Sequence, residues 1–254
     1  MKKIGILVIV IIVLFFILGC KKQKQLEFIN MDDENHSYIG LEEKDFLIDN
    51  FSIDEIPYVF LEKVSRLDNY KKETRGVTIA KKLIDYNQEI HNVYTADQNE
   101  KHLITRSTST LVNVYHEAYY KDEVVSCKDK EQNDFGDISY DEYKSKYGFF
   151  PYDRLLEGFV LNEETIINVE LIEQNKYKIS IDGEQGGAYI KTQMKYFGGL
   201  SDYPTFSKVE ITISIDNNFN PIEISLYEEY QVNKSILGKV NCIQDYVVVY
   251  KINE

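Results

Sequence analysis

Apolar and polar side chains alternate most strictly in the last third of the chain. In Ile166 to Ile172, Ile167, Val169 and Leu171 stand on one side and Asn168 and Glu170 on the other. Tyr177, Ile179 and Ile181 alternate with Lys178 and Ser180 up to a turn at Asp182-Gly183. Val209, Ile211, Ile213 and Ile215 alternate with Glu210, Thr212 and Ser214. Ile222, Ile224 and Leu226 resume the pattern after the turn-forming run Asn217-Asn218-Phe219-Asn220-Pro221, and a last strand runs from about Asn241 to Ile252. A period of two sends successive side chains to opposite faces, so each segment predicts an antiparallel strand with one face in a core. Upstream, His102 to Ser109, Val112 to Lys121 and Val124 to Lys128 are rich in β-branched and aromatic residues and separated by short polar breaks, which predicts a second meander.

Three stretches carry a helical period instead. Ser52 and Glu55 form a capping-box pair, Pro57 sits near the helix start, and Tyr58, Leu61, Val64 and Leu67 recur every three residues along one face. Ser139 and Glu142 repeat the capping pattern ahead of Tyr140 to Tyr147, which closes at Gly148. Pro151 opens a short helix carrying Tyr152, Leu155, Leu156 and Phe159 on one side. Thr78 to Tyr86 fits either a helical turn or a strand. These elements predict an α+β protein: an extended, curved, half-barrel-like antiparallel sheet with helices covering one face. Its edge strands are expected to be short or covered, because an open edge invites stray pairing.

The longest apolar run lies outside this domain. Lys2 and Lys3 precede Ile4 to Leu18, fifteen residues without a polar side chain, followed by the small Gly19 and then Cys20. A spanning helix needs about 20 apolar residues, so this run matches an export signal better than a permanent anchor. Ile17-Leu18-Gly19-Cys20 resembles the lipobox of bacterial lipoproteins. The resemblance implies that the Cys20 sulfur carries a diacylglyceryl group, that residues 1–19 are removed, and that Cys20 begins the mature chain. Lys21, Lys22 and Lys24 would then lie beside anionic headgroups and add to the attachment. The partner implied at this end is the membrane, through the lipid anchor, and the location is the extracytoplasmic face of the cell membrane. No acidic residue follows Cys20 directly, which leaves an outer membrane open where the cell has one. Residues 20–50, with the acidic run Met31-Asp32-Asp33-Glu34-Asn35-His36, read as an acidic tether, and residues 51–254 as a single folded domain.

Charge narrows the partners further. The chain holds 29 basic and 42 acidic residues, and loss of the signal removes two lysines and no acid, leaving a formal charge of −15. That sign opposes nucleic acid as a partner of the domain. With Cys20 lipidated, Cys127 and Cys242 remain, either as a disulfide or as two buried thiols. His36, His91, His102 and His116 show no metal-ligand spacing, and no metal or cofactor is expected. Asp216 to Asn220 starts like a calcium loop but has Pro221 where glycine belongs and Tyr227 where a bidentate Glu belongs, so a hairpin loop is expected there. Lysines beside Cys127 would lower a thiol pKa, yet no nucleophile motif accompanies it. Glu42-Glu43, Glu163-Glu164 and Glu228-Glu229 read as solvated faces rather than acid–base pairs, and the expected function is non-catalytic.

The order of elements over about residues 51–254 resembles the lipoprotein-carrier fold of the LolA and LppX groups, in which helices plug the concave side of a half-open barrel. The resemblance implies an apolar or lipid-like ligand. Phe149, Phe150, Tyr152, Leu155, Leu156 and Phe159 are dense enough to line a pocket for one, or to fill the core. A structural lipoprotein that engages an envelope protein is the alternative, and an envelope hydrolase the third.

Overall fold

The computed structural model describes residues 41–81, 86–109, 113–148, 155–234 and 238–252. Among these, thirteen strands are β1 (Tyr70–Lys81), β2 (Tyr86–Ala96), β3 (Lys101–Thr108), β4 (Asn113–Lys121), β5 (Val124–Lys128), β6 (Gly136–Ser139), β7 (Leu155–Leu156), β8 (Phe159–Val160), β9 (Ile166–Glu173), β10 (Lys176–Ile181), β11 (Thr205–Ile215), β12 (Pro221–Lys234) and β13 (Gly238–Ile252). Among the described residues, three α-helices are α1 (Ile56–Ser65), α2 (Tyr140–Tyr147) and α3 (Ala188–Gly198). Eleven of the strands form one open antiparallel sheet, ordered β6-β5-β4-β3-β2-β1-β13-β12-β11-β10-β9. The chain walks outward from β1 to the β6 edge, crosses to the β9 edge, and walks back until β13 pairs with β1 along its whole length, from Tyr70 opposite Ile252 to Lys81 opposite Asn241. This is the curved α+β sheet the alternation predicts, with two meanders sewn along one central seam.

That seam is tight. Gly76 faces Tyr246 across it, and a Cβ built on Gly76 would stand 2.2 Å from the Tyr246 Cβ and 2.3 Å from the Asp245 carbonyl oxygen. Only glycine permits this approach.

Two apolar clusters lie on the sheet. The larger joins α1 and the β7–β8 hairpin to β10 through β13, with Val59, Phe60, Phe159, Ile179, Ile211 and Leu226 at its centre. The smaller packs Tyr143 and Tyr147 of α2 on Tyr94, Leu103, Ala118 and Val125 of β2 to β5. Both predicted caps form. The Ser52 backbone N–H donates to Glu55 Oε2 at 2.8 Å, and Ser139 accepts from the Glu142 N–H at 3.2 Å ahead of α2. All these elements and both clusters lie within residues 41–252, so a chain beginning at residue 21 keeps every one of them.

Several expectations change. Folded structure begins by Leu41 rather than Phe51. Phe46 is buried in the larger cluster with its ring edge-on to Phe219 at 6.4 Å, Lys63 pairs with Glu43, and Arg66 donates to the Leu41 carbonyl. Thr78 belongs to β1, so the strand reading holds there. Leu155 to Val160 form a tight hairpin instead of a helix, with Glu157 and Gly158 at φ +50° and +92°; residues 151–154 lie outside the described residues. A register shift where Ile181 meets Ile166 turns Ile167 out to 69% exposure, off the face it was expected to share with Val169 and Leu171. Ile222, beside a second shift at Ile215 and Pro221, is likewise exposed. Of the two edges, β6 is short and β9 is longer but bulged, a recognised way of blunting an edge.

Candidate functional site

The inward face of the sheet is apolar on the β10 to β13 side and polar around the seam. One cross-strand row runs His116–Thr105–Asn92–Thr74 over β4, β3, β2 and β1. A second runs Gln88–Thr78–Gln244–Glu228 over β2, β1, β13 and β12. Thr74, Thr78, Thr105, His116, Gln244 and Glu228 are all buried. Some of these groups satisfy each other: Thr78 Oγ1 donates to Gln244 Oε1 at 2.9 Å, and Gln88 Nε2 donates to Ser107 Oγ at 2.6 Å. Others do not. Asn92 Oδ1, Thr105 Oγ1 and both carboxylate oxygens of Glu228 are fully buried without a protein hydrogen-bond partner.

The β7–β8 hairpin drives a charge onto this face. Its tip residue Glu157 meets Lys72 of β1 at 2.7 Å, with side-chain exposures of only 7% and 5%. The Lys72 ammonium lies 5.7 Å from the Tyr94 ring centre and 5.9 Å from that of Tyr250. Glu228 is at 0% exposure. Burial, and then the charge of Glu157, push its carboxyl up to about 8. The Tyr230 hydroxyl on the same strand is pushed up by burial and by the neighbouring Cys242 and Glu228.

A separate network pins α2 to the sheet. His116 Nδ1 lies 2.8 Å from Asp129 Oδ1, its Nε2 lies 2.7 Å from the Tyr143 hydroxyl, and Tyr196 of α3 donates to Asp129 Oδ2 at 2.9 Å. The remaining histidines are apart from it. His91 contacts Glu73 and His102 contacts Glu117, each at 3.0 Å. Burial opposes ionisation of Glu117, but hydrogen bonds from Tyr115, His102 and Lys128 outweigh it and hold the carboxyl at about 2. No group of three metal-binding side chains occurs among the described residues. Asp216 to Asn220 is a hairpin loop in which Asp216 Oδ1 accepts from the N–H groups of Asn218 and Asn220.

Of the residues singled out for a pocket, Leu155, Leu156 and Phe159 are buried together in the larger cluster. Phe149, Phe150 and Tyr152 lie outside the described residues, as does Cys20. Cys127 and Cys242 are buried thiols not joined by a disulfide, one in each apolar cluster. Five strand steps separate β5 from β13, roughly 24 Å along the sheet, whereas a disulfide needs Cα atoms within about 7 Å. The bridge is therefore replaced by two thiols. Burial raises the Cys127 pKa, against the lowering expected from its lysine neighbours. Glu163-Glu164 is exposed as expected, but Glu228 is not part of a solvated pair. It stands in phase with Ile224, Leu226, Tyr230 and Val232, all buried, and this unbroken alternation is the signal that marks it as inward. Lys72, Asn92, Thr105 and Glu157 carried no comparable signal.

No protein-family model matches the chain, and no curated protein matches it by sequence. Among solved structures, a DUF1329 family protein from Desulfovibrio piger is 10% identical, with a TM-score of 0.28 covering 78% of this chain and 90% of that one. A LolA superfamily protein from Nitrosomonas europaea is 11% identical, with a TM-score of 0.28 covering 77% of this chain and 92% of that one. An S-type phycobiliprotein lyase from Guillardia theta is 8% identical, with a TM-score of 0.27 covering 84% of this chain and 99% of that one.

Proposed function

We propose that this protein is a lipoprotein anchored through Cys20 to the extracytoplasmic face of the membrane, and that its domain binds an apolar, lipid-like ligand without transforming it. One observation carries the binding reading. Four buried acceptor atoms, on Asn92, Thr105 and Glu228, lack a protein partner, and all lie on the inward face that the β7–β8 hairpin covers. Well over nine in ten buried polar groups in native interiors are satisfied, and leaving one unmade costs about 1–3 kcal/mol, more for a charge. A core serving only as packing has no use for these acceptors; a surface that receives a ligand's donors has. The apolar wall beside it, with Ile211, Leu226 and Val248, suits the rest of an amphiphile.

The test is mass spectrometry of lipids that copurify with residues 21–254. Recovery of one lipid class at near-stoichiometric amount is expected, and repeated recovery of a folded, lipid-free domain would sink the reading. Anchoring is tested separately by labelled palmitate, which must mark the wild-type protein and fail to mark Cys20→Ser.

A second reading, docking to an envelope protein, is favoured by the bulged edge strand β9. There Ile167, Leu171 and Ile172 are 69%, 51% and 44% exposed.

A further inference from the structure

We propose that Glu228 is the headgroup anchor of the inward face, and that the ligand it selects is an apolar chain ending in a protonated amine. This rests on the binding reading above and adds the chemistry of the ligand's polar end.

On this face Lys72 and Glu157 already hold each other, and Glu228 stands apart from that pair. Lys72 is committed: its ammonium meets Glu157 and is enclosed by the rings of Tyr94 and Tyr250. Glu157 is committed in turn, because its side chain ends on Lys72. Glu228 has both oxygens buried and no protein donor on either. A carboxylate or phosphate headgroup would enter beside the Glu157 charge that already opposes ionisation of Glu228, and would find the Lys72 ammonium engaged by Glu157, so a further negative charge is disfavoured there. An alcohol brings one donor for two oxygens. An ammonium brings three donors and the opposite charge, so in its presence Glu228 can ionise and accept on both oxygens.

The surroundings of Glu228 are apolar: it is flanked along β12 by Leu226 and Tyr230 and faces Val209 across β11, the side chains against which an alkyl chain would pack. On the other side it faces Gln244, whose carbonyl oxygen already accepts from Thr78.

The anchor also couples binding to a proton. Glu157 at the hairpin tip bears on Glu228, and Tyr230 lies two positions along its own strand, with Cys242 of β13 opposite Tyr230 and Lys72 behind Glu157. None of them supplies Glu228 with a neutralising charge, and near neutral pH its carboxyl retains its proton. Capture of an ammonium makes the carboxylate the favoured form: the O–H bond of Glu228 breaks, its proton passes to solvent, and the ammonium keeps its own three protons and donates them.

The experiment compares decylamine, decanol and decanoate binding to residues 21–254 by titration calorimetry near neutral pH, in two buffers of different ionisation enthalpy. The expected result is a preference of roughly tenfold or more for the amine over the alcohol, corresponding to one charge-assisted pairing, and no binding of decanoate. Release of most of one proton per decylamine bound is expected, and of none with decanol. In Glu228→Gln, checked for folding by circular dichroism, the ratio of amine to alcohol affinity should collapse toward one and the proton release should vanish. Equal affinity of the wild type for amine and alcohol, preference for decanoate, or amine binding without proton release each overturns the anchor while leaving ligand binding in place. Failure of all three probes to bind the folded protein overturns the binding reading itself, and the anchor with it.

Discussion

Replacing Lys72 by Met isolates the energetics of the hairpin that covers the inward face. The ammonium and the Glu157 carboxylate are 2.7 Å apart and almost wholly out of solvent, so neither charge has water to fall back on. Removing the cation leaves the Glu157 carboxylate buried within electrostatic reach of Glu228. Breaking one side of such a pair typically costs about 3–5 kcal/mol. In a chain of this length each kcal/mol lowers the melting temperature by roughly 2–4 °C, so K72M should melt about 10 °C below wild type. The partner variant K72M/E157N removes both charges and places at the tip a residue tolerant of the positive φ found there. It should recover most of the loss, since exchanging a whole buried pair for neutral groups is often close to neutral. Thermal melts followed by circular dichroism, with urea midpoints alongside, measure both. A K72M protein melting within about 2 °C of wild type, or a double variant no better than the single one, would refute the view that this ion pair holds the hairpin down.

Stability should fall as pH rises from about 4.5 to about 8, because the folded protein retains a proton on Glu228 that the unfolded chain has lost. The contribution is on the order of 1 kcal/mol per pH unit, and urea midpoints across that window should flatten in E228Q. Glu117 has the opposite sign. Its carboxyl is held at about 2, so its stabilisation is present above the ordinary value of 4.5 and drains away as pH falls toward 2, a limb that E117Q should lose. Gly76→Ala drives a methyl group against the β13 backbone and should destabilise by about 1–3 kcal/mol or more, read as a lower urea midpoint. Two thiols should titrate in denaturant from residues 21–254, and a reducing agent should leave the melting temperature unchanged; a titre near zero would restore the bridge.

What the linear pattern could not report is instructive about this site. β1, the central strand, showed no alternation because its inward residues are Tyr70, Lys72, Thr74, Gly76 and Thr78, a set without an apolar stripe. The stretch from Leu155 to Val160 carries buried residues without a break, which a period of two cannot describe, so its hairpin went unread. The first turns of α3, from Ala188 to Thr192, are buried on every side, which erases the stripe that announces a helix. Ile167 follows the alternation in sequence and departs from it in space, since the bulge depends on how β9 meets β10.

Residue order alone therefore determined the strands of the outer meanders, the capping box of the 3-10 turn Ile53–Glu55 that leads into α1, the cap of α2, and the alternation that runs through Glu228, because these depend on neighbours a few positions apart. The tertiary structure decided the rest: the seam of β1 with β13, the pairing of Lys72 with Glu157, the contact of Thr78 with Gln244, and the burial of an unpaired Glu228. A polar side chain is held inward by partners from remote segments of the chain, or by none, and hydrophobic patterning records only the inward positions that are apolar.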